Sequence, residues 1–251
     1  MIVSAAAPEF QRSVDLSRAT VESRVLGEIL KIDFAVLLKA IAPAMAPVDF
    51  GKEGISGKMR LAGAALRDHL GADGLRALQT HVSDTVRGLA IYGLAVDLDT
   101  ADIPAVLDTV RPFAADSHFG VREWAWLAVR PRLVRDLDQS IAALAPWTLE
   151  RDPLLRRFAV EALRPRGVWC KAIAELRTAP ERGLPLLQPM RAEPEKYPQD
   201  SVANWLNDAA KDRPDWVEDL CRSWLHHSDG ARSTARIVAR ATRSFKVPLK
   251  A

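Results

Sequence analysis

Val121-Arg-Glu-Trp-Ala125-Trp-Leu-Ala128-Val-Arg130-Pro131 is followed, 34 residues on, by Leu155-Arg-Arg-Phe-Ala159-Val-Glu161-Ala-Leu-Arg164-Pro165. Two shorter segments align with them without gaps, Val86-Arg-Gly-Leu-Ala90 and Gln199-Asp-Ser-Val-Ala203. Thr234-Ala235, with Ile237-Val238 after it, reads as a fifth copy. The fifth-position alanines, Ala90, Ala125, Ala159 and Ala203, are 35, 34 and 44 residues apart. A helix packed between two neighbours needs a small residue where the axes approach. It also needs apolar residues at i, i+3, i+4 and i+7, here Val121, Trp124, Ala125 and Ala128, with Val129 beside them. The arginine at the second position points off that face.

Each copy is preceded by another helix ending in turn residues, such as Asp116-Ser117, Arg151-Asp152-Pro153 and Glu193-Pro194. No stretch alternates with period two, so no sheet is expected. Stacked helix pairs of this length give an all-α, HEAT-like helical-repeat solenoid with one long concave face. An ordinary helical bundle with the same small-residue spacing is the alternative. The chain then reads as a single helical-repeat domain over 1–251, with N-terminal capping helices in 1–80 and repeats in 81–251. Phe10–Ile41 and Met59–Leu70 read as helical without the repeat signature. Val48–Lys58, with Gly51, Gly54 and Gly57, reads as a loop. Its Gly57-Lys58 is not a phosphate loop, because Met59 stands where Ser or Thr is required and no strand precedes it.

The 251 residues are 48% hydrophobic and 27% charged, enough for a sizeable core. No apolar run reaches the length of a membrane span. Met1–Pro8 is small and apolar but lacks the basic lead and apolar core of a signal peptide. Cys170 and Cys221 have no metal-like spacing and read as free thiols in a reducing cytoplasm. The adjacent His226 and His227 read as loop residues, and neither a metal nor a cofactor is expected.

A net charge of +3 conceals clustering. Arg232, Arg236, Arg240, Arg243, Lys246 and Lys250 face one acidic residue between Asp229 and Ala251, and Arg151–Lys171 holds six Lys/Arg against two acids. Arg191–Asp219 is acidic, eight against four. Arg232, Arg236 and Arg240 are four apart, with Arg243 near the same line. Having no acid at i±4, they repel one another unless an anion binds, and backbone phosphates suit.

Glu161 lies four residues after Arg157 and three before Arg164, which by spacing alone is a surface ion pair. Trp169, after the Arg166-Gly167-Val168 loop, is either core or ligand platform. Asn207 and Asp208 sit inside a helix that Val202, Trp205, Leu206 and Ala209 make amphipathic. Both lower helix propensity, so they need another reason. Asp212, before Pro214, reads as the cap of the next helix.

Two stretches go further. Leu155–Trp169 resembles the pattern VRRLASEGxRPRLPW, and Ser201–Asp215 resembles SVANNLNDIxKDHPD. Both belong to the bacterial DNA alkylation repair glycosylases of the AlkC/AlkD type, nearest the AlkC branch. With Ala128–Pro131 and Ile237-Val238 the resemblance covers roughly 85–245. It implies a HEAT-like solenoid holding duplex DNA, and hydrolysis of the N-glycosidic bond of cationic N3- or N7-alkylated bases. By position Glu161, Asp208 and Trp169 match the branch's site residues. The branch also carries a glutamate four residues before its earlier Arg-Pro (SEFAxRP), where this chain has Trp126. Glu123, one turn earlier on nearly the same face, is the candidate replacement, its origin displaced about 4.5 Å along the axis. Gly167-Val168 stands in place of Leu-Pro, which loosens the loop before Trp169.

The expectation is therefore a monofunctional alkylpurine glycosylase of base excision repair, monomeric and cytoplasmic. Glu161, Asp208 and Glu123 are its catalytic carboxylates, and Trp169 and Trp126 contact base or sugar. Arg156, Arg157, Arg164, Arg166, Lys211, Arg232, Arg236, Arg240 and Arg243 bind phosphates. A DNA-binding HEAT protein without glycosylase activity, which Trp126 supports, and a protein-interaction scaffold are the alternatives.

Overall fold

The first five residues of every repeat copy fall inside a helix. In the computed structural model, which describes residues 15–245, no strand occurs among the described residues. The chain runs α1 (Leu26–Ile29), α2 (Phe34–Ile41), α3 (Ile55–Ala77), α4 (Asp84–Asp97), α5 (Ile103–Ala114), α6 (Phe119–Arg135) and α7 (Leu137–Leu144). It continues through α8 (Pro153–Glu161), α9 (Ala174–Thr178), α10 (Leu184–Leu187), α11 (Lys196–Ala209), α12 (Pro214–His226) and α13 (Arg232–Ala241). The repeat copies are α4, α6, α8, α11 and α13. They lie side by side in that order, with α3 against α4 as the first member of the row. Helices α5, α7, α10 and α12 form a second layer behind them.

The packing rule read from the sequence explains the row. Ala90, Ala125, Ala159 and Ala203 are fully buried, and so is Val238 at the same position of α13. The fourth-position residues Leu89, Trp124, Phe158, Val202 and Ile237 are buried beside them. Helices α3 and α4 approach closely at a pair of glycines. A Cβ on Gly63 would lie 2.7–2.8 Å from Tyr92 and from the Gly93 backbone, so no side chain fits at this crossing.

The second-position arginine lies off the core face and folds back onto the turn that leads into its own helix. Arg87 Nη1 donates to the carbonyl of His81 (2.8 Å), Arg122 Nη1 to Asp116 and Ser117 (2.6 and 2.8 Å), and Arg156 Nη1 to Glu150 and Arg151 (both 2.9 Å). Carbonyls five and six residues back are thereby satisfied by a charged donor, which fixes each inter-helix turn. A carboxylate from the next turn completes two of these clamps, Asp116 on Arg87 and Glu193 on Arg156.

The N-terminal expectations need revision. Residues 15–33 are mostly non-helical, with one 3-10 turn (Leu16–Arg18) and α1. Ser23 anchors this segment, donating its N–H and hydroxyl to buried Asp84 at 2.8 and 2.9 Å, a contact 61 residues away in sequence that local propensity does not contain. Phe10 and the residues up to 14 lie outside the described residues, as do Met1–Pro8, Lys246 and Lys250. The glycine-rich loop ends sooner than expected, because α3 starts at Ile55, and α3 is kinked at Gly71, whose φ is 69°. No described helix is long and apolar enough to cross a membrane.

Candidate active site

Numbering each copy from its first residue places a second pattern on the row. Positions 3, 7 and 10 share one helix face, since they are separated by four and three residues. In α6 they are Glu123, Leu127 and Arg130; on the α8 copy, Arg157, Glu161 and Arg164; in α11, Ser201, Trp205 and Asp208; on the α13 copy, Arg236, Arg240 and Arg243. Equal or near positions of adjacent copies meet, and the result is a continuous line of alternating charge.

The line starts at Glu123, whose Oε1 accepts from Arg157 Nη2. Arg157 Nη2 stands 3.8 Å from Glu161 Oε2. Glu161 Oε1 accepts from Arg164 Nη1 at 2.7 Å, and its Oε2 accepts from Ser201 Oγ at 2.7 Å. Arg164 then donates through Nε and Nη2 to Asp208 Oδ2 at 2.9 and 2.7 Å, and Lys211 Nζ reaches Asp208 Oδ1 at 3.2 Å. Glu161 and Asp208 each retain only 4% exposure. The isolated surface ion pair that spacing alone implied is instead the middle of a buried network. Burial pushes the Glu161 carboxyl up, but the charges of Arg157 and Arg164, with hydrogen bonds from Ser201 and Arg164, outweigh it, so Glu161 is held below its ordinary value and stays ionised.

Asn207 and Asp208 both receive an explanation. Asn207 Nδ2 donates to the Ala241 carbonyl and to Ser244 Oγ, both at 2.8 Å, and so secures the end of α13. Asp208 is the acceptor for Arg164. Asp212 is not a helix cap. It accepts from Arg166 and Arg177, and these bonds, Arg177's foremost, hold its carboxyl at about 2. The bridge pins the Arg166 loop to the end of α11.

Trp126 and Gly167, the two departures from the branch pattern, explain each other. A Cβ on Gly167 would sit 3.3 Å from Trp126 Cη2 and 2.3 Å from Cys170 Sγ. Cys170 first, and the Trp126 indole behind it, therefore take the room that a leucine at 167 would need. Nor is the loop loosened, since Arg130 Nη1 and Nη2 bind the carbonyls of Ala162 and Arg164 at 2.6 Å. Trp126 itself is 2% exposed, which corrects its expected role as a base or sugar contact. Its Nε1 donates to Glu123 Oε2 at 2.8 Å, and the guanidinium of Arg130 lies 5.9 Å from its ring centre.

Trp169 is presented outward. It is 39% exposed and stacked on the buried Trp124 ring (centroids 6.1 Å, 19° between planes). Its φ of 60° is left-handed, a conformation costing a non-glycine residue about 1–2 kcal/mol. The stack and a 3.1 Å bond from Ser56 Oγ to its carbonyl hold it there. Trp169 therefore lies toward α3, at the Glu123 end of the network rather than over Asp208.

The nine basic candidates divide. Arg156 is a turn clamp, Arg157 and Arg164 are members of the buried network, and Arg166 is tied to Asp212. Lys211, Arg232, Arg240 and Arg243 are exposed or half-exposed, and Arg236 is partly covered. No acid stands at i±4 of the stripe, but an anion is supplied from the neighbouring helix. Asp200 of α11 accepts from Arg236 (2.7 Å) and lies 2.9 Å from Arg240, while Arg243 donates to Asn204 at 3.0 Å. Spacing along one helix could not reveal a carboxylate on the next. Arg130, Ser201 and Tyr197, over which Arg157 stacks at 4.7 Å, were missed in the sequence. Extending the gapless alignment to the tenth position would have placed Arg130, Arg164, Asp208 and Arg243 in one row. Among the described residues no group of three or more His, Cys, Asp or Glu side chains is arranged to hold a metal ion.

No family model matches the sequence. A 117-residue stretch, 47% of the chain, is 37% identical to the uncharacterized protein YhaZ of Bacillus subtilis (strain 168), covering 32% of that protein. The fold is similar to that of the Pseudomonas fluorescens alkylpurine DNA glycosylase AlkC, solved bound to DNA containing an abasic site analog. The TM-score is 0.64 at 24% identity, over 84% of this chain and 60% of that one. The chain thus spans about a third of the curated relative and somewhat over half of the solved one.

Proposed function

We propose that this chain, which shares its fold with an alkylpurine DNA glycosylase, hydrolyses the N-glycosidic bond of cationic N3- or N7-alkylated bases in duplex DNA. The observation that carries the reading is the convergence of Glu123, Glu161 and Asp208, from three helices and 86 residues of chain (123 to 208), into one network. An alkylated purine leaves as a neutral base, so no general acid is needed. The sugar it leaves behind is oxocarbenium-like, and ionised carboxylates in a low-dielectric site stabilise that charge. Asp208 positions the attacking water and Glu161 supplies charge. As a DNA phosphate draws Arg164 away, both carboxylates turn from compensated to available. The outward face of Trp169 offers a cation–π contact to the damaged base or packs on its sugar. Lys211, Arg232, Arg240 and Arg243 carry the phosphate contacts. The protein would act as a cytoplasmic monomer.

Release of free methylated base from N-methylated duplex DNA tests this directly. Catalytic release by the wild-type protein is the expected result, and none at all overturns the enzyme reading. The second reading, a DNA-binding protein of this fold without hydrolytic activity, draws on the pairing of all three carboxylates with Arg or Lys. It predicts salt-dependent duplex binding with no base released.

A further inference from the structure

Of the three carboxylates in the network, Glu161 and Asp208 are almost fully enclosed, while the Glu123 side chain is 31% exposed. Glu123 is thus the one carboxylate a nucleotide reaches without rearranging the buried pairs. Its two oxygens are each fixed by a different donor, Oε1 by Arg157 and Oε2 by Trp126 Nε1. Arg157 is locked by burial and by its place over Tyr197. Trp126 is locked from several sides: Gly167 abuts the ring, Arg130 lies over it, and Arg130 is itself tied to the carbonyls that end α8. An indole has one donor and no acceptor, so a clamped tryptophan can present its N–H in one direction only. That direction is toward Oε2 of Glu123.

From this geometry we infer that Trp126 is a positioning residue, and that Glu123, held by it, is the substrate-facing carboxylate of the site. The inference rests on the glycosylase reading. A glutamate on an exposed helix face samples several rotamers. One that must stabilise a transient positive charge has to be in place before the charge appears. The indole N–H selects a single rotamer. The substitution that removes a carboxylate from position 126 therefore supplies the donor that orients one from position 123.

The test is a double-mutant cycle on methylated duplex DNA. Trp126→Phe keeps an aromatic side chain but removes the N–H together with the five-membered ring of the indole; Glu123→Gln deletes the charge. Each is expected to lower kcat by roughly tenfold with KM little changed, and the double variant should lose no more than either alone; the cavity left by the smaller ring should lower the melting temperature of Trp126→Phe, while that of Glu123→Gln changes little. Wild-type kcat in Trp126→Phe, or a loss that is undiminished in the Glu123→Gln background, overturns the inference. Failure of the underlying reading looks different, since the wild-type protein then releases no base. In that event the Trp126 indole N–H resonance decides. It is expected to move on Glu123→Gln and on adding a duplex that carries an abasic-site analogue, and a resonance indifferent to the duplex overturns the substrate-facing role.

Discussion

Helices α4 and α8 carry the same repeat, and the same three positions on each face make opposite choices. In α4 positions 3, 7 and 10 are Gly88, Tyr92 and Ala95; on the α8 copy they are Arg157, Glu161 and Arg164. The α4 face is filled by neighbours, with Trp124 against Gly88 and the Gly63–Gly93 crossing beside it. The α8 face is filled by charge. Core positions 4 and 5 are apolar and buried in both. The solenoid is thus specified by one set of positions and the site by another, and the second varies from copy to copy without disturbing the first.

That division can be broken at unequal cost. Arg164→Met should be the most damaging change, because it leaves Glu161 and Asp208 buried beside a lost counter-charge. A destabilisation of about 3–5 kcal/mol is expected in urea unfolding. On the uncharged side, Gly63→Ala should cost about 1–3 kcal/mol by forcing α3 and α4 apart. An effect there as large as that of Arg164→Met would reverse the ranking. By contrast Ala95→Ser, at the position equivalent to Arg164, should stay within about 0.5 kcal/mol.

Acid should single out the charged side. Asp212 is held at about 2, below its ordinary value of 3.8, chiefly by Arg177 and then by Arg166, and Glu161 is also lowered. A depressed carboxyl contributes stability that is fully present above its unfolded value and lost as pH falls through the folded one. Stability should therefore decline from about pH 4 toward pH 2. In Asp212→Asn the decline should be shallower, measured as the difference in urea midpoint between pH 5 and pH 2.5. A smaller effect is expected at the rim: Arg240→Ala with Arg243→Ala should lower the slope of log affinity against log salt by about 2 for any duplex sequence.

Much of the scaffold was legible because alanine spacing reports helix approach directly, and Ala90, Ala125, Ala159 and Ala203 all lie where that spacing puts them. Glu161 and Asp208 were also legible, but as members of a motif. That Arg164 also holds Asp208 follows from the register of adjacent helices, which a single chain does not state. Asp200 escaped for the same reason, since it pairs with Arg236 and Arg240 across a helix boundary. Trp126 was misjudged because part of what packs on its ring comes from residues distant in sequence, such as Gly167, 41 positions away (126 to 167). The N-terminal segment was read as helix because its anchor, the Ser23–Asp84 contact, leaves no local trace.

The central claim is that the buried line of charge does chemistry as well as holding the helices together. The most direct measurement is single-turnover release of N7-methylguanine from duplex DNA by Asp208→Asn, beside its duplex dissociation constant. The account predicts a rate reduced by about a hundredfold or more with binding little changed. A rate equal to that of the wild-type protein, or a loss of rate wholly explained by lost binding, would contradict it.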